Sequence, residues 1–215
     1  MTNIAGKAYA MNVVTPSNPR ITWLNRLLFM AARGMPDRLS GLLGLSLIHF
    51  ARWVIIRPRD WPDLGQGKET ISNDYMLFCS NFNGTWDQYI DAFSDGIPNG
   101  LNLFWFSATK YPLSIPITPF KTYITHNQIG TDYYFNATPG SAQRDIKTSL
   151  RMYDVLLQLE EAHRTQSPEA FAETYRAALG EVQLGFGDTG FGPVASLSTE
   201  RADLNRGAYV AGSSA

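Results

Sequence analysis

The run from Leu47 to Arg57 limits the fold of this chain more than any other feature. It is crowded with β-branched and aromatic residues, is too short for a free-standing helix, and is closed by Pro58. It reads as a strand, and a lone strand has no stability in water, so partners are required. Tyr75 to Phe82 offers a second run, ended by the turn signal Asn83-Gly84. Phe120 to His126 reads as a third strand and Tyr133 to Thr138 as a fourth, stopped by Pro139-Gly140. Helical patterns fill the intervals. Trp86, Tyr89, Ile90 and Phe93 share one helix face behind Thr85, with Gln88 at the reciprocal capping position. A longer helix is predicted over 141–163, with Ile146, Leu150, Tyr153 and Leu157 at helical spacing, and another from Ser167 with Pro168 at its first position.

Two strands, a helix, two strands and a helix suit one antiparallel sheet with helices on one face. The expected fold class is therefore α+β, a ferredoxin-like antiparallel sheet preceded by an N-terminal amphipathic helical segment. Residues 1–45 form an N-terminal arm and amphipathic helices, 46–180 the α+β domain, and 181–215 a glycine-rich tail. Within the arm, 1–19 reads as irregular. A helix is expected over Ile21–Arg33, and a second short one through Leu39, Leu42 and Leu43. The apolar stretch 101–106 suits a buried segment of either type. Strand residues are apolar on both faces, so the outer face needs a cover, and a second subunit is the economical one.

The chain has 215 residues, 44% hydrophobic and 17% charged, which excludes general disorder. Its one cysteine, Cys79, excludes an internal disulfide and a tetrathiolate metal site. Net charge is −1, yet residues 1–60 hold eight basic against two acidic side chains. That segment carries +6, which leaves −7 for the remainder. Such asymmetry fits a basic surface facing an acidic one, or contact with anionic lipid or ligand. Neither a leader-type apolar run nor a stretch long enough to span a bilayer is visible. A cytoplasmic location, peripheral to a membrane at most, is expected. The sequon matches at Asn83 and Asn136 read as chance.

Glycine spacing at Gly185, Gly187 and Gly190 matches a dinucleotide fingerprint as text. It follows a helix and precedes Pro193, where the mechanism needs a strand before and a helix after. Gly65-Gln66-Gly67-Lys68 lacks the hydroxyl residue of a phosphate loop. The three histidines, His49, His126 and His163, show no zinc-ligand spacing, so no metal is expected. His163 sits where a cationic ring suits a helix C-terminus. His49 alternates with Ala51, Trp53 and Ile55 on one strand face, as a core residue or a pocket group. His126 ends the third strand, and Asn81 shares a face with Tyr75, Leu77 and Cys79.

His49 to Trp53, the runs Met76 to Gly84 and Trp86 to Phe93, and Tyr133 to Pro139 resemble an uncharacterised bacterial protein family over roughly residues 13–160. More distantly, the layout is similar to the dimeric α/β-barrel superfamily, which includes dye-decolourising peroxidases and small monooxygenases. That resemblance implies a pocket between sheet and helices, often holding haem. The peroxidases' distal Gly-x-x-Asp-Gly motif is absent, so no catalytic residue carries over.

Two functional readings follow. In the first, the chain is a non-catalytic binding or assembly protein, a dimer or a subunit of a larger complex, with Trp23, Leu24, Leu27, Leu28, Arg26 and Arg33 contacting a partner or a membrane surface. No nucleic-acid partner is expected. The alternative is a haem-dependent peroxidase-like or monooxygenase-like enzyme acting on an apolar small molecule. There His49 or His126 would ligate iron or move protons, and Arg52 would polarise bound oxygen. On a regular strand His49 and Arg52 point to opposite faces, so that reading needs a bulge.

Overall fold

A computed structural model describes residues 3–34, 47–67 and 70–183. The short helix expected through Leu39–Leu43 and the tail beyond 183 lie outside these residues. The fold is α+β. Its elements in order are β1 (Ile4–Ala5), β2 (Ala8–Ser17), α1 (Thr22–Gly34), β3 (Ile48–Ile56), β4 (Asp74–Phe82), α2 (Trp86–Gly96), α3 (Pro98–Trp105), α4 (Ile117–Asn127), β5 (Gln128–Ile129), α5 (Gln143–Thr165) and α6 (Pro168–Val182). All strand pairs are antiparallel. The strands run β1-β2-β4-β3, and β5 also pairs with β2. β1 and β5 thus divide one edge of β2, while β3 is the opposite edge.

Three expectations are corrected. The supposed irregular arm contains β2, which pairs with β4 from Tyr9↔Phe82 to Ser17↔Asp74. Its alternation of Tyr9, Met11, Val13 and Thr15 with smaller residues is a genuine period of two, disguised by Asn12 and Pro16. The third expected strand, 120–126, lies inside α4. Its β-branched composition is overridden by the helical spacing of Phe120 and Ile124, both buried in the core. The fourth, 133–138, is irregular. Asn136 is spent on other bonds than a ladder: its Oδ1 accepts from the Thr138 amide at 2.9 Å in a local turn, and its Nδ2 donates to the Ala5 carbonyl of β1 at 2.9 Å. The ladder position beside β2 falls instead to Gln128–Ile129.

Other features match the sequence reading. Strands occupy Ile48–Ile56 and Asp74–Phe82, and Thr85 caps α2 with Gln88 reciprocating. α3 makes the apolar 101–106 stretch largely helical. In α5 the spaced set is turned outward: Leu150, Tyr153 and Leu157 are exposed, and Val155 and Ala162 are the buried positions.

The inner sheet face carries the core. Its cross-strand rows are Tyr9–Phe82–Ile48, Met11–Ser80–Ala51, Val13–Phe78–Trp53 and Thr15–Met76–Ile55. α1 to α4 cover it with Phe29, Trp86, Tyr89, Phe93, Phe104, Trp105, Phe120 and Ile124. Phe82 stacks on Tyr89 with ring centroids 3.8 Å apart, and Trp53 lies against Phe78 at 4.7 Å. Such pairs add about 0.5–1.5 kcal/mol each beyond burial. The buried Tyr89 hydroxyl is 2.8 Å from Ser80 Oγ, and burial pushes its phenol well above the usual value. α1 lies on this core in an unusual orientation. Asn25 is wholly buried, its Nδ2 donating to the Phe104 carbonyl at 2.9 Å, while Trp23, Leu27 and Met30 face outward.

The segment after β5 is tied back to the β1–β2 turn. Lys7 N donates to the Pro139 carbonyl at 2.8 Å, and Asn83 bridges by donating to the Lys7 carbonyl at 2.6 Å and accepting from the Gln143 amide at 2.9 Å. Gly6 makes this approach feasible. It has φ +63°, and a Cβ there would meet the Pro139 oxygen at 2.1 Å. Gly6→Ala is therefore expected to destabilise the protein by about 1–3 kcal/mol or more. A urea unfolding midpoint unchanged from wild type would refute this account of the turn.

Candidate functional site

The outer sheet face is built from the alternate residues. Its rows are Ala10–Asn81–Phe50, Asn12–Cys79–Arg52, Val14–Leu77–Val54 and Pro16–Tyr75–Ile56. Small side chains at Ala8 and Ala10 leave a depression at one end of it. The segment from Thr131 to Ala137 walls this depression into a cavity of about 410 Å³. Asn12 Nδ2 donates to Thr131 Oγ1 at 2.9 Å, and the Thr131 amide donates to Asn3 Oδ1 at 2.7 Å, which fixes the wall. Tyr134 and Phe135 supply aromatic surface.

His49 reaches this cavity through a register break. Ile48 pairs with Phe82 and Phe50 with Asn81, so His49 is the extra residue of a bulge. The expected alternation of His49 with Ala51, Trp53 and Ile55 is therefore broken. Those three stay with the inner rows, and His49 lines the outer cavity together with Arg52. Only the fold could reveal this, because a bulge leaves no mark in the residue pattern.

The polar groups around the cavity differ in what they can do. His49 Nε2 is sealed from water and has no hydrogen-bond partner. Desolvation pushes its imidazole below the ordinary value, with the neighbouring Asn83 side chain pulling the other way. Among the described residues, Arg52 has no carboxylate partner, and the Asn81 amide has no hydrogen-bond partner. The cavity thus presents a cation and an amide, beside a histidine that burial keeps neutral. An anionic or carbonyl-bearing ligand would satisfy both donors. Cys79 is a buried free thiol on the floor.

His126 is placed elsewhere. It lies near the end of α4 rather than of a strand, with Nδ1 2.8 Å from the Thr122 carbonyl. It lines a separate groove of about 730 Å³ with Pro16, Lys110 and Tyr123. Tyr123 donates to the Thr109 carbonyl at 3.2 Å, and burial pushes its phenol up to about 12. His49 and His126 therefore do not share a site. Among the described residues, no group of three or more His, Cys, Asp or Glu side chains is arranged to hold a metal ion. Nor is any helix among them long and apolar enough to cross a membrane.

Comparisons with protein-family models, with curated proteins and with solved structures find no match to this chain.

The depressed imidazole has a consequence for pH. In the unfolded chain a histidine takes up its proton near pH 6.5, whereas the folded protein resists protonation until lower pH. The unfolded state then binds more protons, so this contribution is complete above about pH 6.5 and is lost as pH falls through the folded value. Thermal melts from pH 7.5 to about 5 should show His49→Gln losing less stability on acidification than the native protein. Parallel pH profiles would exclude His49 as the source.

Proposed function

We propose that this chain is a binding and assembly protein, not a catalyst, and that it works as a subunit with its outer sheet face laid against a second copy. What supports this is the outer face itself. Val54, 41% exposed on β3, continues a row of apolar residues across Leu77 and Val14, and Phe50, 50% exposed, stands on the same face in the Ala10–Asn81 row, on the other side of Arg52. Apolar strand faces in antiparallel sheets are ordinarily packed, and a contiguous open one marks an interface. A twofold pairing of identical faces buries both strips at once without needing a different partner. It would also close the cavity beside Arg52 and Asn81, giving a ligand with an anionic group a site shielded from water. The order β5-β2-β4-β3, with α1 and α2–α4 as the two crossings, supports a ferredoxin-like core for this subunit.

A haem-dependent peroxidase-like or monooxygenase-like enzyme is the second reading. The observation in its favour is the bulge that places His49 and Arg52 on one cavity. The sealed Nε2 disfavours it, since a nitrogen closed off by protein would not be open to a haem iron.

Light scattering coupled to size exclusion, at micromolar concentration, tests the assembly. The native chain should run as a dimer, and Phe50→Glu with Val54→Glu as a folded monomer by circular dichroism. A monomeric native protein would sink the proposal. The absorbance spectrum of desalted protein separates the two readings: no Soret band is expected, and a retained one would favour the enzyme.

A further inference from the structure

The outward face of α1 is apolar, which reverses the usual pattern. At 100° per residue, Thr22, Asn25 and Phe29 lie on the side that meets the core, and Trp23, Leu27 and Met30 lie opposite. Those three are 57%, 51% and 68% exposed. Arg26 and Arg33 flank the stripe along one side, and Arg20 stands just before the helix. Among the described residues, none of the three arginines has a carboxylate partner. No acidic side chain lies in the helix at all. A groove of about 420 Å³ opens between the start of α1 and the end of β3, and it adds Arg57 and Arg59 beside Trp23. Arg57 is bridged to Asp60, with Nε to Oδ2 at 2.8 Å, and the buried Asp74 is held by the Thr22 hydroxyl. Among the described residues, Arg26 and Arg59 form no salt bridge in this groove.

We infer that α1 is a docking helix for an anionic bilayer surface. An interfacial helix lies in the membrane plane with its apolar face in the acyl boundary and cations level with the headgroups. Trp23 suits that depth, because an indole has an apolar body and a polar edge. Leu27 and Met30 supply the inserted surface. Charge argues for lipid phosphate as the partner: among the described residues, Arg26 and Arg33 beside the stripe have no carboxylate partner, the nearby acids Asp60 and Asp74 are held by Arg57 and by the Thr22 hydroxyl, and each arginine near an anionic surface adds attraction. The site lies on the helical side of the sheet, away from the face assigned to the second copy, so a dimer would present two such helices.

Vesicle flotation with the full chain tests this. The probes are vesicles of phosphatidylcholine alone and of phosphatidylcholine with an equal part of phosphatidylglycerol. The native protein should float with the anionic vesicles and lose that binding as salt is raised, and it should float poorly with the neutral ones. Leu27→Glu with Met30→Glu, both at exposed positions, should abolish flotation while the circular dichroism spectrum is retained. Arg26→Ala and Arg33→Ala should each weaken it, by about fivefold. Failure of the native protein to float with anionic vesicles would overturn the inference, as would undiminished flotation of the glutamate variant. If that variant instead dissolves an assembly that binds no vesicle, the stripe is a protein interface. The Phe50→Glu, Val54→Glu monomer should still float, more weakly, so failure of the dimer and failure of membrane docking read out separately.

Discussion

The pairing of β2 with β4 is the interaction on which the rest of this structure depends. It joins residues 9–17 to residues 74–82 in unbroken register over nine pairs. The other strands take their positions from those two. β3 adds to the far side of β4, and β1 and β5 share the far edge of β2. The stacked Tyr9, Phe82 and Tyr89 rings link the ladder to α2, and Phe78 links it to Trp53, Trp105 and Phe93. Because side chains alternate along a strand, the same ladder that aims these rings inward aims Asn12, Cys79 and Asn81 outward. Core and cavity are two faces of one register, and a slip by one residue would exchange them.

What could be read from the residues alone follows the strength of local patterning. β3 and β4 are dense in β-branched and aromatic side chains, and α2 carries a full capping box, so all three are legible. β2 is not. Alanines, an asparagine and a proline dilute its alternation, and its stability comes from a partner some sixty residues away. α4 misled in the opposite direction. Ile117, Thr118, Phe120, Tyr123, Ile124 and Thr125 are strand formers by composition, but a helix puts Phe120 and Ile124 together in the core. The α+β class survived these errors because two correct strands and their covering helix already demand a layered sheet.

The candidate site was legible in its residues and illegible in its geometry. His49 and Arg52 stand out as a histidine and an arginine in an otherwise apolar strand. Their convergence depends on one inserted residue, which is invisible until the pairing partners Phe82 and Asn81 are known. The wall contributed by Tyr134 and Phe135 was equally hidden, since it rests on Asn3, Asn12 and Gly6, distant in sequence. Asn81 alternates onto the cysteine side of its strand, and that is where it meets the cavity.

Asn25 works against any roll of α1 that would hide its apolar stripe. The Phe104 carbonyl belongs to the last turn of α3, where backbone acceptors have no helical partner, and Asn25 Nδ2 supplies the missing donor. If α1 rolled half a turn to hide Trp23, Leu27 and Met30, that amide would be withdrawn and a buried carbonyl left bare, at about 1–3 kcal/mol. The side chain thus acts as a rotational key. It sets the azimuth of one helix by reading the end of another, and it makes self-burial of the stripe compete with a bond already in place.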